Sequence, residues 1–478
     1  MESSWLLIEH GTVIDGDGNP PIPDTAVLVK DNRIHAVGAA AGAVRETVPR
    51  GEDFVVIDAT GKTVMPGMID AHCHMSYGEA RTQEEQDLYT SHELRTLIAA
   101  WNMKKVLRAG ITSISQPGGS YFIGVGLREG MKAGLVEGPR MTAAGRYLST
   151  SNSLTDWYPT SVGVPEGSIG ILTNTVDEMK TEIRRQVKGG VDLIKMADSP
   201  YGEYQAFTND EMKAAADLTH QLKRKITIHA RGSAEVDAAV AAGFDWIMHA
   251  NVMTDDVIGR LAESQIPLVP TLLLLANLAD WGTMCGAPAG QRDGARRMLD
   301  KTAATYHKAR EAGVKFVMGT DTGFAVTPYG EWHGRELQLL MDYAGLSALE
   351  AIKAATKNAA VTVNLDGLVG EIAAGKLADV IVVDGDPLMD ISVLWMKSKI
   401  VTVIKDGKIV DFDDDVEHER HPHQRNLIYS LSDLTQDVVY GEGRQEREPS
   451  FAWSPELARE IGSELKAHEL GDWTIADA

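Results

Sequence analysis

The chain is poor in cysteine and in basic residues, and no apolar run is long enough to span a bilayer. Its two cysteines, Cys73 and Cys285, cannot form a disulfide framework, which favours a reducing compartment and predicts a cytoplasmic location. The 46 basic residues stand against 68 acidic ones, a formal charge of −22. This balance argues against nucleic acid and anionic membranes as partners. The amino-terminal segment also lacks the basic region of a signal peptide.

A length of 478 residues exceeds one ordinary hydrophobic core. The first sixty residues alternate short β-rich runs with turn signals, and the same texture returns late in "LADVIVVDGD" and "IVTVIKDGKIV". We therefore predict one small β-sandwich domain built from both chain ends, residues 1–62 plus 376–415.

Between these ends a strand-then-helix rhythm repeats, which is typical of parallel α/β folds. Eight strand candidates are "VMPGMIDAH", "GITSISQPG", "PRMTAAGRYL", "DLIKMA", "KITIHA", "WIMHAN", "PLVPTLLL" and "KFVMGTDTG". Eight such units predict an α/β chain with a (β/α)8 TIM-like barrel over residues 63–375. An open doubly wound sheet is the alternative.

The sequence becomes highly charged and loses its regular strand and helix patterns after about residue 416, as in "DFDDDVEHERHPHQRN". We predict that residues 416–478 form an extension that packs on the barrel or on a neighbouring subunit, with a helix in "SPELAREIGSELKAHEL". We interpret His418, His421 and His423 as linker residues.

Side chains able to bind metal lie at the carboxyl ends of the predicted strands, which meet at one mouth of a barrel. They are His72 and His74 on strand one, Lys195 on strand four, His229 on strand five, His249 on strand six and Asp321 on strand eight. Because residues i and i+2 of a strand share a face, His72 and His74 can face one ion while Cys73 points away. Imidazole and carboxylate ligands suit zinc or a similar divalent ion. Burying these groups together without an ion would be unfavourable.

The motifs "PGMIDAHCH", "LIKMA", "TIHAR", "IMHA" and "GTDTG", followed by "ALEAIKAATKNAA" and "GLVGEIAAGKLADVIVVDGDPL", occur in this order. Up to about residue 415 the chain resembles the amidohydrolase superfamily of metal-dependent hydrolases. The lysine on strand four resembles the branch that includes Xaa-Pro dipeptidases, ochratoxin-type amidases, and phenylurea and thiocarbamate hydrolases.

The resemblance implies a centre of two divalent ions, for which zinc is expected. The implied ligands are His72, His74 and Asp321 for the more buried ion, His229 and His249 for the more exposed ion, and Lys195, carboxylated by carbon dioxide, as the bridge. Asp321 is the implied catalytic group, which accepts a proton during attack and returns it to the leaving nitrogen. Asp70 either orients a histidine of strand one or caps the strand end.

The implied reaction is hydrolysis of the C–N bond of a small N-acyl amino acid, dipeptide-like amide or aryl amide. Aryl carbamate or phenylurea hydrolysis is an alternative, as is a mononuclear deaminase or cyclic-imide hydrolase of the same superfamily. A catalytically silent barrel that serves as a binding protein is the non-enzymatic alternative. We expect a small-molecule substrate and a homo-oligomer.

The loops that would hold the substrate depart from the dipeptidase-like branch. The strand-three loop, "GRYLSTSNSLTDWYPTS", contains no histidine, and Phe207 stands where a tyrosine is expected. Tyr204 could replace that tyrosine or could be only a loop aromatic. We predict an aromatic mouth that includes Trp157 and Phe207. His333 and Arg335 either bind substrate or cap the last helix.

Overall fold

The structure of the protein is a computed structural model that describes residues 4–44, 53–411 and 434–441. Its strands are β1 (Ser4–Val13), β2 (Ile22–Lys30), β3 (Arg33–Val37), β4 (Asp53–Asp58), β5 (Thr63–Pro66), β6 (Met68–Asp70), β7 (Ile111–Gln116), β8 (Arg140–Ala143), β9 (Tyr147–Ser149), β10 (Gly170–Leu172), β11 (Leu193–Ala197), β12 (Lys225–Ala230), β13 (Trp246–His249), β14 (Leu268–Val269), β15 (Val380–Val383), β16 (Ile400–Lys405) and β17 (Lys408–Ile409).

The helices follow most of the barrel strands in the chain. They are α1 (Ala39–Val44), α2 (His92–Arg108), α3 (Ile123–Lys132), α4 (Val176–Lys188), α5 (Asn209–Gln221), α6 (Ser233–Ala242), α7 (Asp255–Ser264), α8 (Leu273–Cys285), α9 (Ala289–Glu311), α10 (Arg335–Ala344), α11 (Ala348–Ala354) and α12 (Gln436–Tyr440). Among the described residues, no helix has the length and apolarity needed to cross a membrane.

One sheet combines strands from both ends of the chain, in the order β17-β16-β15-β5-β1-β2-β3, with β4 also paired to β1. β5 connects the two ends, since it pairs parallel to β1 and antiparallel to β15. Both chain ends therefore contribute strands to one sheet, and the predicted domain limits stay a prediction. β5 lies on the barrel side of the predicted limit at residue 62, although its hydrogen bonds belong to this sheet.

The middle of the chain forms two parallel sheets, β6-β7-β8 and β10-β9-β11-β12-β13-β14. Asp192 N donates to the carbonyl oxygen of Ala143 at 2.8 Å, which joins the end of β8 to the start of β11. β8 and β9 together therefore occupy the third strand position.

The segment 315–322 occupies the eighth strand position and joins the two sheets on the other side. Leu268 N donates to the carbonyl oxygen of Lys315 at 2.9 Å, and Ala71 N donates to that of Met318 at 3.0 Å. These bonds connect β14 to the first strand position and give a ring of eight parallel strand positions. The predicted α/β barrel with a second domain is confirmed.

Alternation along β11 explains why a lysine faces the inside of the ring. Ile194 and Met196 pack into the apolar layer beneath the helices, whereas Leu193 packs into the interior cluster of the barrel. Lys195 shares the face of Leu193, because residues two apart on a strand point the same way. The interior cluster below the mouth contains Ile69, Leu193, Trp246, Val269 and Val317.

Local sequence sets several helix ends. Thr208 and Glu211 form a capping box at the start of α5, and Ser347 and Glu350 form another at the start of α11. Each box satisfies backbone N–H groups that the first helical turn leaves without partners. Gly243 ends α6 with a φ of 80°, a conformation that glycine adopts without steric strain.

Part of the predicted extension contacts the barrel. Leu434 N donates to the carbonyl oxygen of Ala325 at 3.0 Å, and the Trp332 indole donates to the carbonyl oxygen of Leu434. Tyr440 packs its ring against Trp332 at a centroid distance of 5.9 Å. The predicted helix in "SPELAREIGSELKAHEL" and His418, His421 and His423 lie outside the described residues.

Arg140 links the barrel to the end-built sheet. Its Nε donates to Asp379 Oδ2 at 2.9 Å and its Nη2 donates to Asp406 Oδ1 at 2.6 Å, while the Asp379 side chain is only 2% exposed. Arg140→Met should destabilise the protein by about 2 kcal/mol, because a buried carboxylate loses its charged donor. The measurement is the thermal unfolding midpoint.

Arg260→Met is the matched control, since Arg260 pairs with Asp237 where both side chains are largely exposed. We expect it to change stability by less than about 1 kcal/mol. Equal midpoints for the two variants would contradict the proposed link.

Candidate metal centre

Three predicted ligands meet at the mouth of the barrel. Asp321 Oδ1 lies 3.1 Å from His74 Nε2 and 3.5 Å from His72 Nε2. One ligand atom from each residue falls within 4.8 Å of the other two. Two imidazoles and a carboxylate at this spacing can hold a divalent metal ion.

The protein orients both histidines from behind. His72 Nδ1 lies 3.0 Å from Thr271 Oγ1, and His74 Nδ1 donates to the carbonyl oxygen of Gly118 at 2.8 Å. These contacts leave Nε2 of each ring directed at Asp321. Contacts of this kind fix the tautomer and orientation of metal-binding histidines.

His229 and His249 lie beside this group. Their ring centroids are 4.4 Å apart, and the His249 centroid is 5.4 Å from that of His72. Both ring nitrogens of His249 are buried and have no hydrogen-bond partner in the part of the chain that the structure describes. A buried imidazole without partners is unfavourable, and a metal–nitrogen bond would remove that penalty. The donors present therefore fit a metal centre.

Lys195 lies in the same mouth and is 1% exposed. Its Nζ contacts Met248 Sδ and lies 5.6 Å from the centroid of the Tyr147 ring. Burial lowers the pKa of Lys195 to about 7, although Asp321 opposes this shift. A lysine with a lowered pKa is a better nucleophile at neutral pH, because more of its amine is uncharged.

The environment gives these groups the charge states that metal ligands need. Burial lowers the pKa values of His72, His229 and His249 well below the ordinary range of histidine, so their rings are neutral. Burial alone would raise the pKa of Asp321. The neighbouring His72 and His74 lower this pKa by more than burial raises it, so the net shift is downward and Asp321 is a carboxylate. Neutral imidazole and ionised carboxylate are the forms that bind metal.

Three residues of the centre have backbone conformations that are rare outside glycine. φ is 74° at His249, 61° at Thr271 and 58° at Asp321. Trp246 and Met248 both pack into the barrel interior, so regular alternation would turn His249 outward. The positive φ of His249 instead brings its ring beside His229. Backbone strain of this kind is concentrated at functional sites.

Asp70 connects the first and eighth strand positions behind the ligands. Its Oδ1 accepts from His72 N at 3.0 Å and from Thr320 N at 3.1 Å, and its Oδ2 lies 2.8 Å from His333 Nδ1. His333 Nε2 accepts from Gly330 N at 3.2 Å, so both nitrogens of the ring have protein partners. His333 therefore supports Asp70, and this geometry corrects the expectation that it contacts substrate.

The predicted aromatic mouth is only partly present. Phe207 is 1% exposed and packs in the apolar layer beneath the helices. Because this layer surrounds its ring, the expectation that Phe207 contacts substrate is corrected. Trp157 packs against the cluster that contains Tyr77 and Tyr147, and its indole donates to Asp87 at 3.1 Å. Tyr204 is 40% exposed and donates to a backbone oxygen of the strand-three loop.

Sequence reasoning missed two tyrosines beside the ligands. Tyr147 Oη lies 3.2 Å from His74 Nε2 and 2.6 Å from Tyr77 Oη. The Tyr77 ring stacks on His74 at a centroid distance of 4.2 Å. Burial raises the pKa values of both phenols well above the ordinary range, so they remain protonated donors. The position of Tyr147 at the end of the third predicted strand was the signal for it.

Comparison with known proteins agrees with this geometry. Residues 63–410 match the amidohydrolase family. The chain belongs to the amidohydrolase family. This confirms the resemblance drawn from the motifs and makes the protein a hydrolytic enzyme that acts on carbon–nitrogen bonds.

Relatives cover most of the chain. Ochratoxinase of Aspergillus niger is 26% identical over 437 residues, which cover 85% of this chain and 87% of that protein. Imidazolonepropionase of Symbiobacterium thermophilum is 25% identical over 440 residues, which cover 85% of this chain and 96% of that protein. A solved prolidase complexed with N-methylphosphonate-L-proline has a TM-score of 0.74 and 26% identity, covering 85% of this chain and 99% of that structure.

The adjacent residues His74 and Cys73 allow a matched test of the metal centre. His74→Asn should lower bound metal by at least about tenfold after dialysis, because a direct ligand is lost. Cys73 is buried among apolar side chains, with Sγ 3.7 Å from Met75 Sδ. Cys73→Ala should therefore keep the metal content of the wild type. Metal analysis of the purified variants is the measurement, and equal loss in both would count against the ligand assignment.

Proposed function

We propose that this enzyme is a binuclear-metal hydrolase that cleaves the amide bond of a small N-acyl amino acid, dipeptide-like amide or aryl amide. The observation that carries the proposal is the convergence of four imidazoles, one carboxylate and one buried lysine at a single mouth. One group of three ligands is enough for one ion, but it leaves His229, His249 and Lys195 without a role.

In this proposal His72, His74 and Asp321 hold one divalent ion, and His229 and His249 hold a second. Both ring nitrogens of His249 lack hydrogen-bond partners among the described residues, so either one is available to bind a metal ion. This observation supports the second ion. Zinc suits nitrogen and oxygen donors of this kind. Bound metal would supply a nucleophilic water at neutral pH and polarise the scissile carbonyl.

Lys195 is proposed to carry a carbamate made from carbon dioxide. The unmodified ammonium would be repelled by two dications, whereas a carbamate is an anion with two oxygen atoms that can reach both ions. The uncharged amine favoured by burial is the form that attacks carbon dioxide, with loss of one proton to solvent.

Asp321 is the proposed proton carrier. Its carboxylate stays ionised in the folded protein, so it can accept a proton during attack and return it to the leaving nitrogen. Asp70 holds the backbone on both sides of this carboxylate, at His72 and at Thr320, and thereby limits its movement.

Tyr147 is proposed to donate a hydrogen bond to the oxygen on which negative charge develops. Its hydroxyl is buried beside His74 and forms a hydrogen bond with the hydroxyl of Tyr77. A preorganised donor in a dry site stabilises a developing oxyanion without reorganisation.

The amide class is supported by two relatives, an ochratoxinase and a prolidase crystallised with an analogue that contains proline. Aryl carbamate or phenylurea hydrolysis remains the alternative substrate class. The second candidate function is a mononuclear deaminase or cyclic-imide hydrolase of the same superfamily, to which the relative named imidazolonepropionase lends support. The cytoplasmic location and the homo-oligomer stay predictions.

The test combines metal analysis with a hydrolysis screen of acyl-proline dipeptides, N-acyl aromatic amino acids, aryl carbamates and phenylureas. About two ions per chain with amide turnover is the expected result. One ion per chain would favour the mononuclear alternative. A metal-loaded protein that cleaves no member of the panel would overturn the proposal.

Lys195→Ala tests the carbamate bridge. We expect loss of one ion and a fall in kcat of at least about 100-fold, because losing a direct ligand should cost more than losing an outer partner of a ligand. Lys213→Ala is the control, because Lys213 pairs with Asp217 on the exposed face of α5. Metal-free wild type should also recover activity faster with bicarbonate than in buffer depleted of carbon dioxide. Full turnover and both ions in Lys195→Ala would exclude the bridge.

Tyr147→Phe tests the proposed oxyanion donor. We expect kcat to fall about 100-fold with little change in KM, because the lost bond forms mainly in the transition state. Tyr204→Phe is the control and should change kcat by less than about threefold, since its hydroxyl contacts only a loop backbone oxygen. An unchanged kcat in Tyr147→Phe, with metal retained, would remove Tyr147 from the mechanism.

A further inference from the structure

Arg231 is a buried cation directly beside the metal centre. It follows His229 by two residues at the end of β12 and is 8% exposed. Its charge acts on the ligands, since it lowers the pKa values of His229 and His249 beyond the effect of burial. A guanidinium remains protonated in proteins, so the site holds a permanent positive charge.

One edge of this guanidinium has a fixed partner. Arg231 Nη1 donates to Asn251 Oδ1 at 2.6 Å, and Asn251 Nδ2 donates to Thr302 Oγ1 at 2.8 Å. Because the amide of Asn251 is held by Thr302, its oxygen stays directed at Arg231. The orientation of the guanidinium is therefore set before any ligand binds.

The other edge of the Arg231 guanidinium contains Nε. Nε of Arg231 is buried without a hydrogen-bond partner among the described residues. The hydrogen bond that its guanidinium makes there comes from Nη1, on the opposite edge. Nε and Nη2 form the side of the planar fork that binds both oxygens of a carboxylate. Leaving such donors unpaired in a buried site is unfavourable, which points to a ligand that supplies the acceptors.

Arg231 has no direct carboxylate partner among the described residues. Among the described residues it forms no ion pair, whereas the buried Arg140 and Arg335 each contact a carboxylate. Glu235 accepts the backbone N–H of Arg231 at 2.7 Å, but burial raises the pKa of Glu235 well above the ordinary range, with Asp198 adding to the shift. Its neutral form provides no counter-charge.

The charge of the whole mouth favours an anion. Arg231 and Asp321 carry opposite charges, and any bound dication adds positive charge. A negatively charged ligand group beside Arg231 would reduce this excess without displacing a metal ligand.

We propose that Arg231 binds the carboxylate of an anionic substrate through its Nε and Nη2 groups. The inference rests on the proposed function and narrows it: the substrate is an amide that carries a free carboxylate near the scissile bond, as in an N-acyl amino acid. Neutral aryl carbamates and phenylureas lack the group that this arginine would bind.

The test compares an N-acyl aromatic amino acid with its C-terminal primary amide, which differ in the charge beside the same scissile bond. For the metal-loaded wild type, kcat/KM should be at least about 100-fold higher for the acid. Arg231→Met should lower kcat/KM for the acid about 100-fold, mainly through KM, and should lower the value for the neutral amide far less. Arg231→Lys should recover about tenfold of the loss, since it restores the charge without the fork.

Arg260→Met is the matched control and should behave as the wild type. Arg231→Met should keep the metal content of the wild type and should be folded at the assay temperature, as its unfolding midpoint will show, which separates lost binding from lost structure. Equal turnover of the acid and the neutral amide by the wild type would overturn the inference. Equal loss on both substrates in metal-loaded Arg231→Met would also overturn it.

A second measurement separates this inference from the proposed function. If the metal-loaded wild type cleaves neither substrate, calorimetric binding of N-acetyl-L-phenylalanine still tests Arg231. Binding to the wild type that is lost in Arg231→Met would support the carboxylate site while the proposed reaction fails. Absence of binding to the wild type would overturn the carboxylate site itself.

Discussion

The buried carboxylate of Asp70 holds together the part of the barrel on which the metal centre depends. It accepts backbone N–H groups from His72 and Thr320, and so joins the first strand position to the eighth. His333, fully buried, holds the same carboxylate from the other side. Because a buried charge needs several donors, the arrangement admits little variation, and the three ligands His72, His74 and Asp321 keep a common geometry.

The remaining architecture supports this junction. Most strand positions of the barrel direct an apolar residue into the interior below the mouth. The same strands carry polar residues at the mouth, so the packed core lies directly beneath the metal centre. The sheet built from both chain ends is attached through β5, which leads directly into the first strand position, and through Arg140 at the third. The second domain therefore braces the barrel on the strand that carries two of the ligands.

Sequence patterns were sufficient for the barrel and for most of the metal centre. Lys195 and His229 obey strand alternation, so their inward direction follows from their position in the chain. The loop residues were harder to assign. Phe207 and His333 are followed by helices in the sequence, as substrate-binding loop residues also are, and nothing local distinguishes a ring buried in a core from one that lines a mouth. Tyr147 and Arg231 were passed over because each resembles an ordinary strand-end residue.

The amino-acid sequence by itself determines the order of the strands, the residue types at their ends and the acidic composition. These features define the family and the chemistry available to the protein. Only the folded chain decides which neighbours each group has. The positive φ of His249 turns its ring inward against regular alternation, and the absence of a carboxylate partner leaves one edge of Arg231 unpaired among the described residues. Both facts arise from contacts between segments distant in the chain, such as Asn251 with Thr302, which no local pattern encodes.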